Sequence, residues 1–153
     1  LTYSTCSYAG QLLRGILLIA IVVLLSACSR TSDEQQIRIA IEQMQEALEA
    51  GKPSDFMQYI ADDFTGADSG IDRQALHNLL RAQVLANSNI AIAIGPIDIE
   101  LHDQRATVNL SATITGGNAR WIPERGSIQR IKSGWRRENG EWKCINAQWE
   151  RTL

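Results

Sequence analysis

The feature that most constrains this chain is a change of hydrophobic period near Asn89, from helical spacing before it to strict alternation after it. Ile37, Ile41, Met44 and Leu48 recur at helical spacing with Ala40 and Ala47 beside them, behind a capping-box pattern of Ser32 and Gln35. Gly51 and Pro53 stop this helix. Ser54 caps a shorter helix expected over Asp55–Ala61, with Phe56, Tyr59 and Ile60 on its apolar side and the acidic turn Asp62-Asp63 after it. A third helix is expected from about Asp72 to Ala86, with Leu76, Leu79 and Leu80 on one stripe.

Beyond Asn89 the pattern is that of strands. Ile90, Ile92 and Ile94 alternate with small residues up to Gly95-Pro96, and Ile97, Ile99 and Leu101 continue toward a turn at His102-Asp103-Gln104. In Arg105–Thr115, Ala106, Val108, Leu110, Ala112 and Ile114 point one way and Thr107, Asn109, Ser111 and Thr113 the other, which predicts a sheet with one packed face. Ser127–Glu138 and Glu141–Glu150 flank Asn139-Gly140, a type I′ hairpin signal. Helices followed by a run of strands predict an α+β fold.

Composition narrows the function classes. At 153 residues, with 44% hydrophobic and 21% charged side chains, the chain fits one globular domain plus an appendage, which excludes a multidomain enzyme and argues against intrinsic disorder. The formal charge is −2, but residues 29–103 carry 13 acidic and 5 basic side chains against 4 and 9 in residues 104–153. This segregation gives an acidic helical layer and a basic sheet edge. Arg130, Lys132, Arg136, Arg137 and Lys143 suit carboxylates, anionic lipid headgroups or an acidic partner, whereas the overall acidic balance disfavours nucleic acid. His77 and His102 lack zinc-ligand spacing, so no metal is expected, and no Gly-rich phosphate loop points to a cofactor.

The appendage is residues 1–31. Ile16–Leu25 is a run of ten apolar residues, too short for the ~20 needed to span a bilayer and within the ~7–15 of a signal-peptide apolar region. The Leu25-Ser26-Ala27-Cys28 sequence that ends it resembles a bacterial lipobox. That resemblance implies a signal peptide over 1–27, cleavage before Cys28, a diacylglyceryl thioether and acylated amine on Cys28, and a short tether over 28–31. Ser29 after the lipidated Cys implies sorting to the outer membrane, on its periplasmic side. Cys144 is then the one cysteine left without a removal or attachment role, so no intrachain disulfide is expected, and its place in a strand reads as a small buried hydrophobe.

The order of capped helix, short helix with Tyr59-Ile60-Ala61-Asp62-Asp63-Phe64, third helix, and a meander ending in Trp135-Arg136-Arg137-Glu138-Asn139-Gly140-Glu141-Trp142-Lys143 resembles the NTF2-like, SnoaL-like superfamily over 32–153. The resemblance implies N-terminal helices packed on a strongly curved antiparallel sheet that wraps into a cone around a pocket. It also implies a broad range of functions, from isomerases and dehydratases to binding modules. In related enzymes a carboxylate or His inside the cone removes a proton while a Tyr or acid steadies the enolate. The corresponding candidates are Tyr59, Asp63 and His77, although Asp62-Asp63 reads equally as a solvated helix end and His77 as a side chain facing water.

Trp121, Trp135, Trp142 and Trp149 concentrate aromatic surface in the last third of the chain. Regular alternation puts Trp142, Cys144, Asn146 and Gln148 on one face of the last strand and Ile145, Ala147 and Trp149 on the other. Trp142, Asn146 and Gln148 are accordingly candidate ligand-binding residues; the alternative is an aromatic core with a polar outer face. The leading expectation is a lipid-anchored periplasmic protein that binds a small apolar or anionic ligand, or assists an envelope protein. The alternative is a small lyase or isomerase using acid–base chemistry. A membrane contact through the lipid and a second copy of the chain are the other expected partners.

Overall fold

The structure, a computed structural model, describes residues 32–66, 70–87, 89–115 and 127–152. The expected signal segment, Cys28 and Trp121 lie outside the described residues. Helix α1 (Asp33–Glu49) is followed by a single helical turn α2 (Pro53–Phe56), a 3-10 turn over Met57–Tyr59, and strand β1 (Ile60–Gly66). Helix α3 (Arg73–Ala86) then precedes four long strands: β2 (Ala91–His102), β3 (Arg105–Thr115), β4 (Ser127–Glu138) and β5 (Glu141–Thr152).

The helix ends follow from their sequences. Ser32 Oγ accepts the backbone N–H of Gln35 at 3.2 Å, and Asp72 Oδ1 accepts that of Ala75 at 2.7 Å, so each longer helix begins on a side-chain cap of a kind that contributes about 1 kcal/mol. At the other end of α1, Gly51 has φ +69°, the Lys52 N–H returns to the Ala47 carbonyl at 2.8 Å, and the Gly51 N–H to that of Leu48 at 3.1 Å. This pair of bonds is a Schellman motif. The buried side of α1 is Ile37, Ala40, Ile41 and Ala47.

The sheet has five strands in the order β1-β5-β4-β3-β2. Three neighbouring pairs are antiparallel, and β1 lies parallel to β5, so the sheet is mixed. Two sequence expectations are corrected here. The segment read as the end of a short helix and an acidic turn is strand β1, because burying Ile60, Ala61 and Phe64 as an edge strand leaves Asp62 and Asp63 exposed. The strongly curved antiparallel cone is also overturned. The sheet stays open, with β1 and β2 as unconnected edges, and is neither closed nor curled into a cone.

The core lies between the helices and one face of the sheet. Ile37 and Ile41 of α1, Met57, Phe64 of β1, Leu76 of α3, Val108, Trp135 and Trp142 form a contiguous buried cluster. The alternation expected in β3 is observed, with Ala106, Val108 and Ala112 buried. Asn139 (φ 51°) and Gly140 (φ 90°) both sit at positive φ in the β4–β5 turn, as a type I′ hairpin requires. Asp33 ties that hairpin to α1: its Oδ1 accepts from Arg137 Nη1 at 2.9 Å and from Trp142 Nε1 at 3.3 Å.

Two bulges decide which side chains face the core. In β2, Ile94 pairs with Ala112 and Ile97 with Leu110, so three steps oppose two and the extra residue falls at Gly95-Pro96. Ile92 and Ile94 before it, and Ile97 and Ile99 after it, therefore keep to the core side despite their change of parity. In β5, Trp135 pairs with Cys144 and Gly134 with Asn146, which leaves Ile145 unpaired. A Cβ at Gly134 would come within 2.9 Å of the Asn146 amide, whose Oδ1 accepts the Gly134 N–H at 3.0 Å, so a larger residue there would have to turn the Asn146 side chain aside and break that bond.

Candidate functional site

A cavity of about 590 Å³ lies between the helices and the packed face of the sheet. Helix α1 supplies Ile41, Met44 and Leu48, and α3 supplies Leu76, Leu79, Leu80 and Val84. The opposite wall is Ile92 and Ile94 of β2, Leu110, Ala112 and Ile114 of β3, and Ile131 and Trp135 of β4. Phe64 of β1 and Cys144, Ala147 and Trp149 of β5 complete it. Leu79 and Trp149 are each 40% exposed, and they mark where the cavity meets solvent. Protein interiors leave few voids larger than a water molecule, so this space is not a packing remainder. Its volume falls in the range of small-molecule pockets.

The polar groups among the described lining residues are all uncharged: Gln45, Gln83, Asn87, Gln129, Ser133 and the Cys144 thiol. Most of their donors are committed to the protein. Gln45 Nε2 donates to the Ile92 carbonyl at 2.7 Å, and Asn87 Nδ2 to that of Gln83 at 2.8 Å. Cys144 Sγ lies 3.2 Å from the Asn146 carbonyl, and burial pushes its thiol up to about 12, so it stays protonated and unreactive in the folded protein. Ser133 Oγ accepts the indole N–H of Trp135 at 2.9 Å.

The candidate catalytic residues occupy three different places. Tyr59 is half-buried beside α1, where its hydroxyl donates to Gln43 Oε1. Asp63 is exposed and accepts a two-bond ion pair from Arg136, which holds its carboxyl below the usual aspartate value. His77 is on α3, with a buried Nε2 that has no hydrogen-bond partner. None of the three lines the cavity.

The candidate ligand residues of β5 are divided by the bulge. Trp142 is buried with its indole N–H on Asp33, on the side of a smaller groove between α1 and the hairpin. Asn146 and Gln148 are exposed on the opposite face from Cys144, Ala147 and Trp149. The shared face expected for Trp142, Cys144, Asn146 and Gln148 is thus corrected, because the unpaired Ile145 reverses the alternation. Ser133 was missed by sequence reasoning. Its signal was present, as a lone hydroxyl on the apolar parity of β4 between Ile131 and Trp135. Among the described residues no three His, Cys, Asp or Glu side chains gather as a metal set.

No family model and no curated protein matches this sequence. Solved structures do. A candidate scytalone dehydratase from Novosphingobium aromaticivorans superposes with a TM-score of 0.69 at 14% identity, covering 79% of this chain and 85% of that one. A candidate dehydratase of the NTF2-like family from Streptomyces avermitilis gives 0.65 at 16% identity, over 77% and 94%. An NTF2-like protein of unknown function from Pseudomonas putida gives 0.65 at 16% identity, over 76% and 84%. Likeness at these identities is a likeness of backbone, and it shows an NTF2-like, cystatin-like fold over the 76–79% of the chain that these structures cover.

Proposed function

We propose that the domain takes a small, predominantly apolar molecule into the cavity between its helices and its sheet. The observation that carries this is the cavity itself, about 590 Å³ of nearly continuous Ile, Leu, Val and aromatic side chain that meets solvent at Leu79 and Trp149. An apolar molecule seated there restores the dispersion contacts that the open space forgoes and leaves water at the same time. Titration with the neutral fluorophore N-phenyl-1-naphthylamine tests it. Saturable enhancement is expected in the wild-type domain and its loss in Ala112→Phe, which fills the space; the absence of saturable enhancement in the wild type would overturn the proposal.

Conversion of that molecule, rather than carriage alone, is favoured by the names of two of the similar structures, both described as candidate dehydratases. On this reading the domain is a small lyase or isomerase. Loss of water needs a base and an acid beside the bound substrate, and Tyr59, Asp63 and His77 stand outside the lining. Following enone formation from β-hydroxy ketones in wild type, Asp63→Asn and His77→Ala tests the residues and the reaction separately. Turnover that is unchanged in both variants removes these two residues from the chemistry.

Export and anchoring rest on the sequence of residues 16–28 alone. We propose that Cys28 carries the lipid and holds the domain on the periplasmic side of the outer membrane. A lipid-modified chain beginning at Cys28 is expected in the membrane fraction, with Cys28→Ala released into the soluble one. An unmodified, soluble wild-type chain would overturn this.

A further inference from the structure

The hydroxyl of Ser133 is a buried donor on the sheet wall of the cavity. Ser133 is only 6% exposed and lines the cavity from the middle of β4, flanked on its own face by Ile131 and Trp135. A serine hydroxyl has one hydrogen to give and two lone pairs. One lone pair is occupied by Trp135 Nε1–H at 2.9 Å, so the indole fixes the oxygen and leaves the hydrogen to seek an acceptor. Its neighbours along β4 on that face are Ile131 and Trp135, and directly across the register stand Val108 of β3 and Ala147 of β5, none of which carries a side-chain acceptor. Accepting from the indole also makes the hydroxyl a better donor, because successive hydrogen bonds polarise one another.

We propose that the ligand of this cavity is an uncharged, apolar molecule bearing a carbonyl oxygen, and that the oxygen accepts the Ser133 Oγ–H. The assignment rests on the cavity reading above and adds the chemical class. No charged side chain among the described lining residues is present to pair with an ionised ligand, and burying an unpaired charge in such a wall is costly. A hydrocarbon would fill the space but leave the buried hydroxyl hydrogen without an acceptor. A carbonyl oxygen supplies one and brings no donor that would itself need a partner.

Two probes of nearly the same shape test this: 2-acetylnaphthalene, which carries the carbonyl, and 2-ethylnaphthalene, which does not. Calorimetric titration of the wild-type domain is expected to show the ketone bound roughly three- to tenfold more tightly, the range that one net hydrogen bond gives. Ser133→Ala should bring that ratio to about one, and Ser133→Thr, which keeps the hydroxyl, should retain it. The carbonyl stretch of the bound ketone should lie at lower frequency in the wild type than in Ser133→Ala, a shift that a merely structural role for Ser133 would not produce. If Ser133→Ala does not fold, Ser133→Thr and the wild-type frequency against that of the ketone in hexane carry the test. Equal affinities in the wild type would overturn the carbonyl assignment and leave the apolar cavity standing. Failure of both probes to bind would overturn the assignment together with the cavity reading.

Discussion

Arg136 and Asp63 clamp the parallel edge of the sheet: the guanidinium on β4 reaches across β5 to the carboxylate on β1, with Nη2–Oδ1 at 2.9 Å and Nη1–Oδ2 at 3.1 Å. Arg136 Nε also donates to Glu138 at 2.8 Å, which sets the orientation of the fork. The pair matters most for β1, whose only partner in the sheet is β5. It also gives Asp63 a structural role, with both carboxylate oxygens engaged.

The pH dependence of this clamp has a definite sign. The hydrogen bonds from Arg136 hold the Asp63 carboxyl below its ordinary value in the folded protein. Its contribution is therefore complete above the unfolded aspartate pKa and disappears as pH falls through the lowered folded value. Denaturant midpoints of wild type and Asp63→Asn should differ at pH 7 and converge as the pH is taken below 4. A difference that stays constant down to pH 2 would refute the coupling. The effect should be small, because the Asp63 carboxylate is largely solvated.

Gly140 provides a conformational test. Its φ of 90° in the β4–β5 turn is one that a β-branched residue adopts poorly. Gly140→Val is expected to lower stability by about 1–2 kcal/mol, the usual penalty for an L-residue held in the left-handed region. Urea unfolding measures it, and an unchanged midpoint would count against the turn as described.

Cys144 should behave as a wall of the cavity and not as a nucleophile. With its thiol pushed up to about 12 by burial, almost none is ionised at pH 8. A disulfide reagent such as dithionitrobenzoate should label it only as fast as the domain opens, and at once in denaturant. Rapid labelling of the native domain would contradict the burial.

Filling the cavity should separate binding from stability. Ala112 is buried on the cavity side of strand β3, between β4 and β2, and Ala112→Phe projects a ring into the open space. Introducing a larger residue into a filled core usually costs about 1–3 kcal/mol. Here the expected result is an unchanged or raised melting temperature with probe binding abolished. A loss of several degrees would mean that the space is smaller than described.

What could be read from the sequence was what short-range chemistry controls. Ser32, Asp72 and Gly51 act through neighbours three to five residues away, Asn139-Gly140 determines its own turn, and the alternation in β3 is undisturbed. Strand β1 was illegible because its partner lies some eighty residues later and its acidic pair interrupts any apolar alternation. The direction of the β5 side chains was illegible for a different reason: Ile145 looks like an ordinary strand residue, and only its failure to pair shows that the parity changes there. The cavity depends on the spacing between α1, α3 and the sheet, which no local pattern records.

The unpaired Ile145 gives this strand an unusual kind of adaptability. Drawn straight, the same chain would turn Asn146 and Gln148 inward and expose Ala147 and Trp149, giving a hydrogen-bonding wall without a single change of side chain. Removing Ile145 altogether would do the opposite: with the extra position gone, ordinary alternation from Cys144 onward would keep Ala147 and Trp149 facing inward. The polarity that a bound molecule meets along β5 is thus written in backbone register, so a slip that pairs Ile145 with β4 would redirect ligand preference where no substitution had occurred.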